Sequence, residues 1–272
     1  DRHVLYEKSV QDVDQEYRVV NKTFRTLRGR RPRYAREDFC GTASMCCEWV
    51  RRRKKNTAVG IDLDPEVLAW AREHNLARLK PEARERVTLV EADVLEVQTP
   101  QAFDVVLAMN FSYQLFMTRE KLGGYFSKAR EALVDDGILF LDAFGGYDTY
   151  REIKEKRKYK GYKYIWEHAS YNPINCRMVC HIHFAFPDGS RLKKAFTYDW
   201  RLWTMPEVIE LLKEAGFSKV RVFWEEFVDS DDDDDEMEGT GNYEEVTEPE
   251  NQESWVNYIV AEYSCDGFSW LL

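Results

Sequence analysis

The sequence contains the run Ala58-Val59-Gly60-Ile61-Asp62-Leu63-Asp64-Pro65, in which an apolar segment ends in two acids and a proline. Residues 58–62 predict a short buried strand. Asp64 is a typical N-cap residue and Pro65 suits a first helical turn, so a helix is predicted over residues 65–79. A buried strand followed directly by a helix is typical of an α/β protein with a parallel sheet.

The same alternation continues on both sides of this run. Further helices are predicted over residues 43–53 and 121–133, the second stopped by Asp135-Asp136-Gly137. Further strands are predicted at 87–90, 103–109 and 138–142. Strands separated by helices of this length form right-handed crossovers, which predicts a doubly wound, mostly parallel sheet.

Two more strands are predicted at residues 220–227 and 254–263. Because no helix separates them, we expect them to pair antiparallel. Together with a first strand that precedes the turn at 39–43, the sheet is therefore predicted to have seven strands with an antiparallel last strand, in a domain built from residues 33–142 and 201–272.

Two regions lie outside this pattern. Residues 1–32 carry apolar side chains at helical spacing and predict an N-terminal helical cap of one or two helices. Residues 143–200 are rich in aromatic residues, and a turn at Pro187-Asp188-Gly189 predicts a hairpin of strands 179–186 and 191–198. We interpret 143–200 as an inserted antiparallel β region that covers the substrate.

The net charge of -10 originates in one segment. Residues 229–253 hold thirteen Asp and Glu residues and no Lys or Arg, so the remainder of the chain carries about +3. Blocks of like charge are usually solvated, which predicts an acidic loop at 229–253.

The sequence indicates neither a membrane segment nor a metal site. It lacks a run of about 18 apolar residues, and its six cysteines form no CxxC pair, as is typical of reduced thiols in a cytoplasmic protein. Cys176, Cys180, His181 and His183 are close in sequence, but on a strand the cysteines and the histidines face opposite sides.

The first strand-to-helix turn, Phe39-Cys40-Gly41-Thr42-Ala43, holds a single glycine. A pyrophosphate cradle needs three, so a nicotinamide-linked oxidoreductase is disfavoured. Asp62 ends the second strand, where a carboxylate can accept hydrogen bonds from both ribose hydroxyls. Asp93 follows the third strand, where it can contact an adenine amino group. The sequence therefore predicts a ribose-binding acid but no glycine-rich loop for a diphosphate.

In these features the chain resembles the class I S-adenosylmethionine-dependent methyltransferases, over residues 33–142 and 196–263. The matching segments are the loop 37–43, Asp62 in Gly60-Ile61-Asp62, Asp93, and the fourth-strand segment 108–113. Residues 201–204 before a helix ending at 215–217 resemble small-molecule methyltransferases. The resemblance implies S-adenosylmethionine as cofactor, bound by Glu37, Phe39, Gly41, Thr42, Asp62, Leu63, Asp93, Val94, Asn110, Phe111 and Tyr17.

Chemical roles can be matched to this ligand. Glu37 or Asp38 is placed to offset the ammonium charge, and backbone N–H groups around Gly41 to receive the carboxylate. A ring near the sulfonium would stabilise it by about 0.5–2 kcal/mol. The candidate rings are those of Tyr6, Tyr17 and Phe111.

Methyl transfer requires mainly alignment, since the cofactor carries the reactive group. An amine or carboxylate acceptor needs no strong base, whereas a hydroxyl acceptor does. The candidate catalytic residues are Tyr113, His168 and Asp199. The fourth-strand segment lacks the Pro-Pro pair of enzymes that methylate nucleobase or amide nitrogens, which weighs against those acceptors.

The sequence is compatible with three functions. The first is methylation of a small molecule enclosed by the N-terminal helices and residues 143–200. The second is RNA methylation through basic patches at 51–55 and 154–163, the latter interleaved with tyrosines. The third is a non-catalytic protein that binds S-adenosylmethionine or a partner, since catalysis by alignment requires no obligatory catalytic residue.

Overall fold

The computed structural model describes residues 1–99, 102–229 and 237–263. Within them the central sheet is formed by β1 (Tyr34–Asp38), β2 (Thr57–Asp62), β3 (Val87–Glu91), β4 (Phe103–Ala108), β5 (Leu133–Gly145), β10 (Lys219–Asp229), β11 (Met237–Val246) and β12 (Trp255–Glu262). A second sheet is formed by β6 (Lys154–Tyr159), β7 (Tyr162–Tyr171), β8 (Arg177–Ala185) and β9 (Arg191–Arg201). The helices are α1 (Arg2–Ser9), α2 (Val13–Arg28), α3 (Ser44–Arg52), α4 (Pro65–His74), α5 (Pro81–Arg84), α6 (Arg119–Glu131) and α7 (Met205–Glu214).

The strands of the central sheet lie in the order β11-β10-β12-β5-β4-β1-β2-β3. Strands β1 to β5 are mutually parallel, whereas β12 is antiparallel to both of its neighbours, β5 and β10. Helices α2, α3 and α4 pack on one face of the sheet, and α6 and α7 pack on the other. This confirms the predicted doubly wound, mostly parallel sheet with an antiparallel last strand.

The sheet has one strand more than the seven predicted. Strand β11 pairs antiparallel with β10, and its Tyr243 packs on Tyr258 with ring centroids 4.7 Å apart. Glu245 forms an ion pair with Arg221 at 2.6 Å. The prediction of a loop over 229–253 is therefore wrong for residues 237–246. There, hydrogen bonds to β10 and the packing of the half-buried Tyr243 stabilise a strand despite the negative charge. Residues 230–236 of the predicted loop lie outside the described part of the chain.

Two predicted helix ends also differ from the structure. Strand β5 begins at Leu133, which pairs with Phe103 before the register shifts, so Asp135-Asp136-Gly137 lies inside the strand. Helix α4 ends at His74 and is followed by a 3₁₀ turn, Leu76–Arg78. Local sequence predicts where regular structure occurs better than where each element ends.

The second sheet has the order β6-β7-β8-β9 and is antiparallel throughout, and its β8–β9 pair confirms the predicted hairpin. Helix α1 packs against this sheet, since Tyr6 contacts Phe196 at 4.9 Å between ring centroids and the Ser9 and Tyr162 hydroxyls lie 2.9 Å apart. The N-terminal segment therefore lies between the two sheets. None of the helices in the described residues is long and apolar enough to cross a bilayer.

Candidate active site

The parallel strands end at one edge of the central sheet, where the loops after β1, β2 and β4 border a cavity of about 250 Å³. We call it the loop cavity. From the central sheet it is lined by Glu37, Gly41, Thr42, Asp62 and Asn110, among others. Helix α1 and the second sheet border it through Tyr6 and Tyr198. Ligands of open α/β sheets bind at this edge, beyond the carboxyl ends of the strands.

The turn after β1 has an unusual backbone. Phe39, Gly41 and Ala43 all have left-handed conformations, with φ of 57°, 50° and 55°. Such conformations cost non-glycine residues about 1–3 kcal/mol and concentrate at ligand sites. The Gly41 N–H donates to Asp62 Oδ2 at 2.7 Å, while the buried Thr42 hydroxyl has no hydrogen-bond partner among the described residues. The turn thus contributes to the cavity both an unpaired hydroxyl and a backbone N–H bound to the Asp62 carboxylate.

The two acids proposed to offset the ammonium charge have different surroundings. Asp38 is buried, with Arg36 Nε donating to one oxygen at 2.7 Å and the Tyr125 hydroxyl donating to the other at 3.0 Å. Glu37 accepts the Cys46 N–H at 2.9 Å and has no ion-pair partner in the described part of the chain. Asp38 therefore has an internal counter-charge, and Glu37 remains the acid open to a ligand.

The acid at the end of β2 and the acid after β3 have different positions relative to the loop cavity. Asp62 lines the loop cavity and also accepts the Asp64 N–H at 3.0 Å. Leu63 is exposed, Asp93 accepts the Leu95 N–H at 2.9 Å within its own turn, and Val94 is buried in the core. Among the cofactor-binding residues predicted at the ends of β2 and β3, Asp62 therefore lines the loop cavity as the structure describes it, and Leu63, Asp93 and Val94 do not.

A second cavity of about 340 Å³ lies between helices α1 and α2, the central sheet and the second sheet. We call it the aromatic cavity because the rings of nine Phe, Tyr and Trp residues line it: Tyr6, Phe111, Phe144, Tyr164, Trp166, Tyr198, Trp200, Tyr243 and Tyr258. Three residues line both cavities, namely Tyr6, Asn110 and Tyr198. The two cavities therefore meet at these side chains.

The loop after β4 is held by an acid that the sequence interpretation missed. Asp142 accepts the N–H groups of Asn110 at 2.6 Å and of Phe111 at 2.8 Å, and both donors have left-handed backbone, with φ of 57° and 58°. Asp142 is buried and lines the aromatic cavity. It ends the predicted strand 138–142, so the criterion that selected Asp62 would also have selected it. Glu16, on α2, also lines this cavity, and no sequence signal distinguishes it.

Of the three candidate bases, His168 lines the aromatic cavity. It is buried, its Nδ1 has no partner among the described residues, and burial lowers the pKa of its imidazole. Tyr113 is fully buried against Phe126, outside both cavities, and burial raises the pKa of its hydroxyl. Asp199 forms a surface ion pair with Arg177 at 2.6 Å. Because side chains alternate along β9, Asp199 faces away from the cavity, and we withdraw both Tyr113 and Asp199 as bases.

The three candidate rings also differ in position. Tyr6 lies where the cavities meet, and its hydroxyl is within hydrogen-bonding reach of Tyr198. Phe111 lines the aromatic cavity. Tyr17 packs edge-on against Trp49 in the core and lines neither cavity, so we no longer expect it at the sulfonium.

The His and Cys residues near β8 do not come together. His183 Nε2 lies 2.6 Å from Glu167, and Cys180 is buried. Across the described residues, no group of three or more His, Cys, Asp or Glu side chains is placed to hold a metal ion.

Buried carboxyls make the stability of the protein pH-dependent. Burial raises the pKa of Glu37 to about 7, of Asp142 to about 7 and of Glu16 to about 8. A raised carboxyl pKa stabilises the fold fully below the ordinary value, about 4, and this contribution is lost as pH rises through the folded value. We therefore expect the free energy of unfolding of the ligand-free protein to fall from about pH 5 to about pH 8.

Urea titrations across this pH range test the expectation. Glu37→Gln keeps an oxygen that can accept the Cys46 N–H but has no proton to lose. Its free energy of unfolding should decline less steeply than that of the wild type, by about 1.4 kcal/mol for each pH unit between the two pKa values. Identical slopes for the two proteins would contradict the assignment.

Comparison with known proteins agrees with this geometry. Residues 39–137 match a family model described as a methyltransferase domain. No curated protein matches the chain significantly by sequence.

Solved structures share the fold over nearly the whole chain. The amino pentose methyltransferase CalS10 from Micromonospora echinaspora, bound to S-adenosylmethionine, is 15% identical, with 96% of each chain covered and a TM-score of 0.66. The CcbJ methyltransferase from Streptomyces caelestis is 12% identical, with 96% of this chain and 95% of that chain covered and a TM-score of 0.68. An S-adenosylmethionine-dependent methyltransferase from Clostridium acetobutylicum is 15% identical, with coverage of 96% and 97% and a TM-score of 0.65.

The family match includes the loops after β1, β2 and β4 that border the loop cavity, and the solved structures share the fold. Residues 39–137 therefore match a methyltransferase domain, and the chain has the Rossmann-like fold of solved S-adenosylmethionine-dependent methyltransferases.

Proposed function

We propose that the protein is an S-adenosylmethionine-dependent methyltransferase that acts on a small-molecule acceptor held in the aromatic cavity. The observation that carries the proposal is the meeting of the two cavities at Tyr6, Asn110 and Tyr198. A cofactor in the loop cavity and an acceptor in the aromatic cavity would face each other across these side chains. Alignment of this kind supplies most of the rate enhancement that methyl transfer requires.

The residues of the loop cavity suit this cofactor. Asp62 would accept the ribose hydroxyls, Glu37 would offset the ammonium charge, and the unpaired Thr42 hydroxyl would hydrogen-bond to the ligand. The Tyr6 ring would lie near the sulfonium. When bound, the cofactor supplies an electrophilic methyl group, and the chain's own residues orient it and exclude water.

The proposed division of the chain follows from this placement. Residues 33–142 and 201–272, as far as the structure describes them, would form the cofactor-binding domain. The N-terminal cap, 1–32, and the inserted region, 143–200, would enclose the acceptor.

The positions of the basic residues favour a small-molecule acceptor over RNA. Of residues 51–55 none lines either cavity, and Arg51 and Arg52 both pair with Glu48. From the run 154–163, Arg157 is the one basic residue that lines the aromatic cavity in the described structure. A nucleic-acid path into the site would need cations along its approach.

Filling the aromatic cavity tests the proposal. Val256 lines it and is 43% exposed, so Val256→Trp adds bulk at the cavity without overpacking the core. We expect transfer to a metabolite extract, measured as S-adenosylhomocysteine formation, to fall at least about tenfold, with cofactor affinity unchanged.

The matched control is Ile174→Trp, at a 91% exposed position that lines neither cavity. It should leave activity unchanged. Undiminished activity in Val256→Trp would contradict the proposal. Salt-sensitive methylation of total RNA, with none of the metabolite extract, would support the RNA alternative instead.

A further inference from the structure

The aromatic cavity contains a buried acid without a partner. Glu16 is 9% exposed and lines the cavity from α2. Within the described part of the chain, its side chain takes part in no hydrogen bond or ion pair. Burial of a carboxylate without compensation is costly, so such groups are normally paired or hydrogen-bonded. The unpaired oxygens of Glu16 therefore point to a ligand that supplies the missing partner.

The charges around Glu16 are strongly one-sided. Five carboxyl groups line the cavity: Asp12, Glu16, Asp142, Asp148 and Glu155. Asp148 forms an ion pair with Arg151 at 2.7 Å, and the other four have no ion-pair partner among the described residues. Arg157 is the one Lys or Arg among its described lining residues, and it forms no ion pair there. His168 also lines the cavity, with an unpaired Nδ1 and an imidazole whose pKa is lowered by burial. A cationic ligand would be attracted to this set, and an anionic one would be repelled.

The aromatic walls of the cavity would also favour a cationic ligand. The ring of Trp166 lies 5.7 Å from that of His168 between centroids, and Trp166, Trp200 and Tyr198 contact one another at centroid distances of 4.4–6.2 Å. All three line the cavity. Aromatic faces attract ammonium groups, more strongly where water is excluded. In this cavity the carbon skeleton of an organic ammonium would pack against the rings, and its charge would face the acids.

The two buried acids at the centre of this set have raised pKa values. Burial raises the pKa of Glu16 to about 8, and the charge of Asp142 contributes in the same direction. Burial raises the pKa of Asp142 to about 7 despite two backbone donors. The other groups that act on Glu16 are Glu37 and Asp12, which are also acids. An ammonium in the cavity would reverse these shifts, since an opposite charge favours the ionised form.

We propose that the acceptor is a small molecule carrying an aliphatic amine, which binds as its ammonium with Glu16 and Asp142. This rests on the proposed function of the cavity. Glu16 is then the catalytic base: its carboxylate takes a proton from R–NH₃⁺, giving R–NH₂ and a neutral carboxylic acid. The amine lone pair forms the new N–C bond as the sulfonium S–C bond breaks, and that electron pair stays on sulfur. The product is R–NH₂CH₃⁺.

A charge series of one skeleton tests the inference by binding alone. Phenethylamine, phenethyl alcohol and phenylacetate are titrated calorimetrically into the full chain saturated with S-adenosylhomocysteine. We expect the amine to bind at least about tenfold more tightly than the alcohol, and the carboxylate more weakly than both. Glu16→Gln should reduce the advantage of the amine to below about threefold, with the affinity for the alcohol unchanged.

The matched control is Glu214→Gln, at an exposed ion pair with Arg119 that lines neither cavity, and it should behave as the wild type. Equal binding of amine and alcohol, tighter binding of phenylacetate, or no binding of the amine would overturn the inference. The wild-type series decides it even if Glu16→Gln does not fold. Failure of the proposed function would be recognised separately, as absence of methyl transfer to any metabolite.

Discussion

Replacement of Asp62 by alanine is expected to weaken S-adenosylmethionine binding by about 10–150-fold while the protein remains folded. Asp62 lies in the loop cavity at the end of β2, where it would accept charge-assisted hydrogen bonds from the ribose. It also accepts the N–H of Gly41 at 2.7 Å, so its removal releases the turn after β1 as well. Both effects reduce affinity for the cofactor, and isothermal titration measures their sum.

Asp93→Ala is the matched control for this variant. Asp93 is also an acid that follows a parallel strand, but it caps its own turn and does not line the loop cavity in the described structure. Its loss should change cofactor affinity by less than about threefold. Equal losses in the two variants would mean that the cofactor extends beyond the loop cavity towards β3. Unchanged affinity in Asp62→Ala would show that the ribose is held elsewhere.

Replacement of Asp38 by alanine is expected to lower the free energy of unfolding by about 3–5 kcal/mol. Arg36 is 2% exposed, and Asp38 is its ion-pair partner at 2.7 Å. Without that carboxylate a buried guanidinium stays uncompensated, and the Tyr125 hydroxyl loses its acceptor. Urea denaturation at neutral pH measures the loss.

Two further variants separate this effect from a general loss of charge. Arg36→Leu combined with Asp38→Ala removes both charges and should recover part of the stability. Asp199→Ala breaks an ion pair of the same type with the exposed Arg177 and should cost less than about 1 kcal/mol. Equal costs for Asp38→Ala and Asp199→Ala would contradict the role of burial.

Local patterns were sufficient for the parallel sheet and for part of the site. The alternation of apolar runs and capped helices predicts β2, α4 and their neighbours because burial and capping act over a few residues. The same logic places Asp62 and Gly41 at one edge of the sheet, and the structure has them hydrogen-bonded. Strand β11 was missed because its ladder partner, β10, compensates for a composition that is otherwise typical of a loop.

The candidate bases show where local patterns fail. Tyr113, His168 and Asp199 were equivalent polar residues in suitable segments, but the structure buries the first, exposes the third and lines a cavity with the second. Which face of a strand or helix meets a cavity depends on the packing of other elements. Periodicity gives the relative orientation of side chains within one element and nothing about its partners.

The sequence by itself predicted the cofactor class, because the strand ends, the turn and the acids follow one another in a continuous stretch from Glu37 to Asp93. Only the tertiary structure decided the acceptor side. There Glu16 from α2, Asp142 from β5 and His168 from β7 border one cavity, although they are far apart in the chain. Groups so distant in sequence interact strongly only after folding has brought them together and excluded the water between them. A local sequence pattern therefore cannot predict that they share one cavity.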